Sequence, residues 1–207
     1  MAHTYHLTEV FASLQGEGRN TGRPVTFIRF AGCNLSCPWC DTDHSEKFCM
    51  TLPDLVKRVE ELGVPSVVMT GGEPTVQAGL DELLEVLKKK NYWTALETNG
   101  ILAPTRPDLF DYIAVSPKAE FANRYNDRQM LKKADEVRIV CSSRRLSDFC
   151  KDMRKRIAAT DYYISPLSRH KKMDVVGATH LLDTLNADLK SDPWMLSVQT
   201  HKLIGIK

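Results

Sequence analysis

Cys33-Asn34-Leu35-Ser36-Cys37-Pro38-Trp39-Cys40 sets three thiols at x3 and then x2 spacing, directly after the apolar run Val25 to Ala31. Three soft ligands so close in sequence can converge on one face of a metal centre, but cannot by themselves complete a four-cysteine cage. Iron–sulfur clusters and zinc are the usual targets of such a set. Three thiolates on a cubic 4Fe–4S cluster leave one iron open to a non-protein ligand. An open iron means chemistry, whereas a closed site means structure or electron transfer. Two other readings stand beside it: a zinc site awaiting a remote fourth ligand, and buried thiols that bind nothing. Any of the remaining Cys49, Cys141 and Cys150 could be that fourth ligand, although Cys141, ending an apolar strand, and Cys150, in a helix, read as packing residues.

Working outward, the alternation of elements sets the fold. Upstream, Leu7 to Leu14 and Pro24 to Phe30 read as strands around Gln15-Gly16-Glu17-Gly18-Arg19. Two glycines two residues apart suit a turn whose backbone comes close to something, and no GK[ST] ending marks it as a phosphate loop. Arg29 is the one charge in its strand. Downstream, Asp41-Thr42-Asp43-His44 offers oxygens of the kind a hard cation such as Mg2+ takes, or a polar turn.

Thr51 caps a helix with apolar spacing at Leu52, Leu55, Val56, Val59 and Leu62, ended by Gly63. A short β run from Ser66 then delivers the chain to Gly71-Gly72-Glu73-Pro74, where two glycines let backbone approach a ligand and Glu73 offers a carboxylate to a cationic group. The pattern continues with helix Gly79 to Lys90, strand Tyr92 to Thr98 and strand Asp111 to Val115. Strand Ala134 to Cys141, helix Arg145 to Ile157 and strand Asp161 to Ser165 follow. A basic polar loop then runs through Lys172, before a helix from about Ala178 to Leu189 and a last strand, Trp194 to Gln199.

Repeated strand–helix alternation with short loops predicts an α/β fold: a partial (β/α)6 barrel of mainly parallel strands with outer helices. Ligands gather at the carboxyl ends of such strands. The unusual stretches fall there: the Cys33 loop, Gly71-Gly72-Glu73, Glu97 to Asn99, Ser116 to Lys118, Ser165-Pro166 and His201. One cavity accounts for them all.

Composition narrows the class. A chain of 207 residues is large enough for a real core and is expected to form one domain, 1–207. The net charge of +2 gives no basis for a nucleic-acid partner or a membrane surface. No apolar run approaches the ~20 residues of a membrane span, and the first residues lack a secretory layout. With three of six cysteines crowded into one loop, a reducing, cytoplasmic setting with metal-bound thiolates is expected over disulfides.

Cys-x3-Cys-x-aromatic-Cys followed by GGE resembles the radical S-adenosylmethionine superfamily. The wider set narrows this further: Leu14-Gln-Gly-Glu-Gly, Arg29-Phe-Ala-Gly-Cys33, Trp39-Cys-Asp-Thr-Asp43, Thr70-Gly-Gly-Glu-Pro74, Glu97-Thr-Asn-Gly100, Ser116-Pro-Lys118 and Gln199-Thr-His201. It resembles the 7-carboxy-7-deazaguanine synthase family nearly end to end.

That resemblance implies a carbon–nitrogen lyase of queuosine (7-deazapurine) biosynthesis. Its reaction is the radical ring contraction of 6-carboxy-5,6,7,8-tetrahydropterin to 7-carboxy-7-deazaguanine and ammonia. It also implies a 4Fe–4S cluster on Cys33, Cys37 and Cys40, and S-adenosylmethionine against Trp39, Cys40, Asp41, Gly72, Glu73, Ser116, Pro117, Lys118 and the turn Ser165, Pro166, Leu167, Ser168. The pterin is expected at Leu14, Gln15, Gly16, Glu17, Arg29, Thr70, Glu97, His201 and Lys207, with Mg2+ at Thr42. A flavodoxin or ferredoxin as electron donor and a homodimer follow by the same analogy.

Two departures stand out: Ser165 where the family commonly has Gln, and an Ile206-Lys207 ending where the family often has a small residue or proline. The competing classes are another radical enzyme, such as a glycyl-radical activase, and a non-enzymatic zinc module.

Overall fold

The computed structural model describes residues 3–169, 172–187 and 192–207. β1 (Thr4–Leu14) and β2 (Pro24–Phe30) form an antiparallel pair, and β3 (Phe48–Thr51) adds to the other side of β1. From β2 the sheet runs parallel through β4 (Ser66–Gly71), β5 (Trp93–Thr98), β6 (Tyr112–Val115), β7 (Glu136–Cys141) and β8 (Asp161–Pro166). These are the six parallel strands expected from the alternation. A hairpin of β9 (Ser168–Arg169) and β10 (Lys172–Met173) stands apart, and β11 (Met195–Leu196) closes the far edge beside β8. The order β11-β8-β7-β6-β5-β4-β2-β1-β3 leaves the sheet open.

Among the described residues, five α-helices connect or follow these strands: α1 (Leu52–Leu62), α2 (Leu80–Lys89), α3 (Ser147–Arg156), α4 (Val175–Asn186) and α5 (Thr200–Ile204). α1 starts where Thr51 Oγ1 accepts from the Asp54 amide and ends at Gly63 in the left-handed region, φ 69°. α2 presents Leu80, Leu83, Leu84 and Leu87 as one buried stripe. Each such leucine contributes about 1.5–3 kcal/mol of burial, so packing rather than helix propensity holds a ten-residue helix in place.

The period-2 geometry of the strands divides the sheet into two chemically different faces. Val67, Met69, Leu96, Ile113, Val115, Val137, Ile139 and Ile164 pack in the large core with the helices. On the other face Val25, Val68, Ala95, Tyr112 and Ala114 form a small separate cluster. Continuing along those strands in steps of two gives Arg29, Thr70, Glu97 and Ser116, and β7 adds Arg138, so the inner face turns polar toward the strands' carboxyl ends.

Several expectations need correction. β3 was not expected: it is a four-residue edge strand, half exposed and hidden in a polar stretch. The broken alternation of Leu7 to Leu14 has a cause, a register irregularity between Leu7 and Glu9. α4 begins at Val175 rather than about Ala178, because Asp174 Oδ1 accepts from the Gly177 amide. Its expected end at about Leu189 lies outside the described residues, as do His170 and Lys171 of the basic loop, where β9 and β10 pair. Of Trp194 to Gln199 only Met195 and Leu196 pair with β8. The Ser197 amide still reaches the Ile164 carbonyl at 3.0 Å; beyond it the chain leaves the sheet, as Ser197 Oγ accepts from the Gly18 amide and Gln199 Nε2 donates to Glu17. Thr200-His201-Lys202 then turns into α5.

Candidate active site

Two adjoining cavities open at the carboxyl ends of the parallel strands. The first, about 200 Å³, is lined by Cys33, Cys37 and Cys40 with Trp39, Asp41, Thr42, Gly71, Gly72, Glu73, Asn99, Ser116 and Lys118. The loop that carries the thiols is tied down from several sides. The Gly32 amide donates to the His44 carbonyl, the Glu73 amide to Gly32, and Asn99 Nδ2 to Asn34 Oδ1 at 2.7 Å.

Gly72 makes the approach possible. A Cβ there would fall 1.5 Å from the Gly32 carbonyl oxygen, so the end of β4 touches the root of the cysteine loop backbone to backbone. The glycine pair thus serves the fit of loop against strand as well as the exposure of backbone to a ligand.

Glu73 is 1% exposed and already takes four hydrogen bonds, from the Thr75 amide and hydroxyl, Thr98 Oγ1 and the Asn99 amide. It pins the end of β4 to the end of β5, so the carboxylate expected for a cationic group is largely engaged within the chain. Burial pushes its pKa up, against the pull of those donors. Burial lowers the Lys118 pKa, and its Nζ donates to Ser116 Oγ at 2.7 Å beside the Trp39 ring.

The donor set fits an iron–sulfur cluster better than one zinc ion. Around a single tetrahedral zinc, sulfurs bound at 2.3 Å sit about 3.8 Å apart. Among the described residues His6, Glu46 and Cys49 are the set of three whose ligand atoms lie within 4.8 Å of one another; the three loop cysteines are not such a set. At least one pair of their sulfurs therefore lies more than 4.8 Å apart, farther than two ligands of one zinc ion sit and in keeping with separate corners of a cluster. Burial pushes the Cys33 and Cys37 thiols up, so without a cation the neutral form is favoured there. Cys49 stands with His6 and Glu46, and Cys141 and Cys150 are buried, as packing residues should be.

The second cavity, about 280 Å³, is lined by every residue expected around the pterin: Leu14, Gln15, Gly16, Glu17, Arg29, Thr70, Glu97, His201 and Lys207. Glu17, Asp41, Thr42, Thr70, Glu97 and Gln199 line both cavities and form the wall between them. Gln199 and Lys202 meet Glu17 and Asp41 here, 158 to 182 positions away in sequence, and α5 joins the ends. Lys202 Nζ bonds Asp41 at 2.5 Å and Gln199 Oε1 at 2.7 Å. Gly16 leaves room for the His201 imidazole, since a Cβ would fall 2.0 Å from Nδ1. Arg29 Nε pairs with Glu9 at 3.1 Å, and Lys207 Nζ pairs with the same carboxylate.

Residues 27–126 match the family model described as the radical SAM superfamily. A 7-carboxy-7-deazaguanine synthase from Neisseria meningitidis serogroup B is 44% identical over 204 residues, covering 98% of this chain and 94% of that protein. The chain belongs to the 7-carboxy-7-deazaguanine synthase family. A second member, from Haemophilus influenzae, is 41% identical over 203 residues at the same coverage. The crystal structure of QueE from Escherichia coli superposes with a TM-score of 0.72 at 26% identity, covering 96% of this chain and 95% of that one. As in other radical SAM enzymes, the sheet is a partial barrel, and the family brings with it a 4Fe–4S cluster and S-adenosylmethionine. The zinc module is not the reading that survives. Among the described residues no helix is long and apolar enough to cross a membrane.

Not every site residue expected from the family pattern lines these cavities. Pro117 is buried between two lining neighbours, and Ser165, Pro166, Leu167 and Ser168 line neither space. Ser165 is 2% exposed, and its Oγ finds no hydrogen-bond partner among the described residues.

The strongest omission from the sequence reading is Arg138. Its side chain, 5% exposed, meets three carboxylates: Nε with Glu17 at 2.9 Å, Nη1 with Glu136 at 2.5 Å and Nη2 with Glu97. Burial disfavours its charge, but the three acids outweigh that and hold it protonated. Burial likewise pushes Glu97 up, against the pull of Arg138. The missed signal was Glu136 and Arg138 two residues apart in an otherwise apolar strand, on the face that carries Glu97.

Proposed function

We propose that this chain converts 6-carboxy-5,6,7,8-tetrahydropterin to 7-carboxy-7-deazaguanine and ammonia, in queuosine (7-deazapurine) biosynthesis. One observation carries the reading: a thiol-lined cavity and a cavity lined with Arg29 and carboxylates share a wall, so a radical source and a carboxylated substrate can lie side by side.

Cys33, Cys37 and Cys40 would hold the 4Fe–4S cluster, which when bound would supply the electron for reductive cleavage of S-adenosylmethionine. The residues around it bind and orient. Gly71 and Gly72 offer backbone, Trp39 an apolar face and Ser116 and Lys118 polar ends, while the Ser165 to Ser168 turn and Pro117 can contribute only from beyond the lining. In the second cavity Arg29 keeps its Nη groups for the pterin carboxylate while Glu9 holds its Nε. Glu97 and Glu17, oriented by Arg138 and Gln199, accept from N–H groups of the ring. Gln15 Nε2 donates to Glu97 at 2.8 Å and fixes its free edge. Leu14, Gly16, Thr70 and His201 shape the space and exclude water, and Lys207 closes it above Glu9.

Thr42, in the shared wall, would supply an oxygen to a Mg2+, which would help to orient the substrate carboxylate; such an ion keeps several waters and needs few protein ligands. A small redox protein such as flavodoxin or ferredoxin supplies the electron, and the working form is a homodimer.

Anaerobically reconstituted protein with reductant, S-adenosylmethionine, Mg2+ and the pterin should yield 7-carboxy-7-deazaguanine by mass, without stoichiometric loss of S-adenosylmethionine. Cofactor cleavage without that product would keep a radical enzyme and sink the substrate.

A further inference from the structure

A second set of metal-ligating side chains lies outside both cavities. His6 of β1 and Cys49 of β3 are direct partners in the antiparallel register. Glu46 reaches them from the loop just before β3: His6 Nδ1 lies 2.9 Å from Glu46 Oε2, Cys49 Sγ 3.1 Å from Oε1, and Cys49 Sγ 3.4 Å from His6 Nδ1. All three side chains are exposed. Backbone fixes them, since the Lys47 amide donates to the Leu7 carbonyl at 2.9 Å and Thr8 Oγ1 to the Ser45 carbonyl at 2.8 Å.

From these contacts we infer that His6, Glu46 and Cys49 form a binding site for a zinc-class divalent cation, with water in the fourth position. A tetrahedral ion with zinc's bond lengths to N, O and S has ligand–ligand edges of about 3.3–3.6 Å. The Cys49–His6 separation of 3.4 Å falls in that range, and one Glu46 oxygen, with 2.9 and 3.1 Å now spread over its two oxygens, reaches both partners by turning its carboxylate, without backbone movement. Thiolate, imidazole and carboxylate together select a borderline-soft ion over Mg2+ or Ca2+, which take oxygen.

The consequence is mechanical. Residues 32–47 carry the three cluster cysteines, and the Gly32 amide bonded to His44 already draws the two ends of that loop together. An ion at Glu46 and Cys49 staples the outgoing end to β1.

The test uses full-length protein carrying its 4Fe–4S cluster, so that Cys33, Cys37 and Cys40 are occupied. After one equivalent of Zn2+ and passage over a chelating resin, zinc-edge X-ray absorption should show one zinc per chain with a single sulfur and the rest nitrogen or oxygen. Zn2+ should also raise the unfolding midpoint. Cys49→Ser should lose the sulfur contribution, and both Cys49→Ser and His6→Gln should lose stoichiometric retention and the midpoint shift. These are surface positions, so the variants keep the fold, and the cluster's absorption should confirm it. No retained zinc in the native sequence, a shell with more than one sulfur, or retention unchanged in both variants would overturn the assignment.

Discussion

The two adjoining cavities meet at one wall and are built by opposite means. The thiol-lined one is made by backbone: two glycines at the end of β4, a loop tied down by amides and carbonyls, and three cysteines within eight residues. The other is made by charge: Arg29 of β2 stands against Glu9 of β1, and Glu17 and Glu97 of the shared wall are held from behind by Arg138 of β7, which pairs also with Glu136 and itself lines the thiol side. Backbone construction demands particular residues at fixed short spacing. Charge construction only needs partners to arrive from anywhere in the chain, and it fails as a unit when one is removed.

The largest difference should come from the thiols. Cys37→Ala is expected to abolish cluster retention and turnover together. Cys150→Ala, at a fully buried helix position, should cost about 1 kcal/mol of stability and leave the iron content unchanged. Iron and sulfide assays on the two proteins decide it; equal loss from both would mean that the ligands have been misassigned.

Next comes the charge-built cavity. Arg138→Met leaves three carboxylates on an inner face without their buried cation, and should destabilise by roughly 3–5 kcal/mol in denaturant titration. Arg138→Lys should recover only part of this, because an ammonium cannot reproduce the fork that reaches Glu17, Glu97 and Glu136 at once. If Arg138→Met is neutral, the cavity is not held by charge and the contrast between the two regions falls.

Gly72→Ala probes the backbone-built side without touching a ligand. The added methyl meets the Gly32 carbonyl, which belongs to main chain and cannot rotate away, so the loop root must shift at a cost of about 1–3 kcal/mol. Cluster content after reconstitution should fall while the Arg138 network stays intact. A Gly72→Ala protein with native stability and full iron would show that the close approach is dispensable.

This difference in construction also explains what could be read from sequence. The parallel strands, α1 with its Thr51 cap, the cysteine loop and the GGE turn carry their signals locally, in periods and short motifs, and the structure puts them together. Arg138 was missed because its meaning depends on Glu17 and Glu97, which are 121 and 41 residues away in sequence and become visible only with the strand order. β3 was missed because four half-exposed edge residues carry little periodicity. The last strand is shorter than its sequence suggests because Ser197 is the last residue whose amide reaches β8, at the Ile164 carbonyl, while its hydroxyl and the Gln199 side chain turn to Gly18 and Glu17.

The smallest effect expected is a pH dependence at the rim of the charged cavity. Burial lowers the His201 pKa below the ordinary 6.5, with Glu17 and Asp41 pulling it back only in part. Its ring packs where a methyl on Gly16 would collide with Nδ1, so the folded chain favours the neutral imidazole. A base with a depressed folded-state pKa binds fewer protons folded than unfolded. Its contribution is therefore complete above the unfolded value and is lost as pH falls through the lowered one. Urea midpoints measured from pH 7.5 downward should drop more steeply for the native sequence than for His201→Gln, with the extra slope confined to the region below 6.5. The two curves should converge above that value once corrected for a constant offset. Parallel curves throughout would mean that His201 is free to take its proton in place, and that the segment from Gln199 to Lys202 packs over the cavity less closely than Gly16 and Asp41 require.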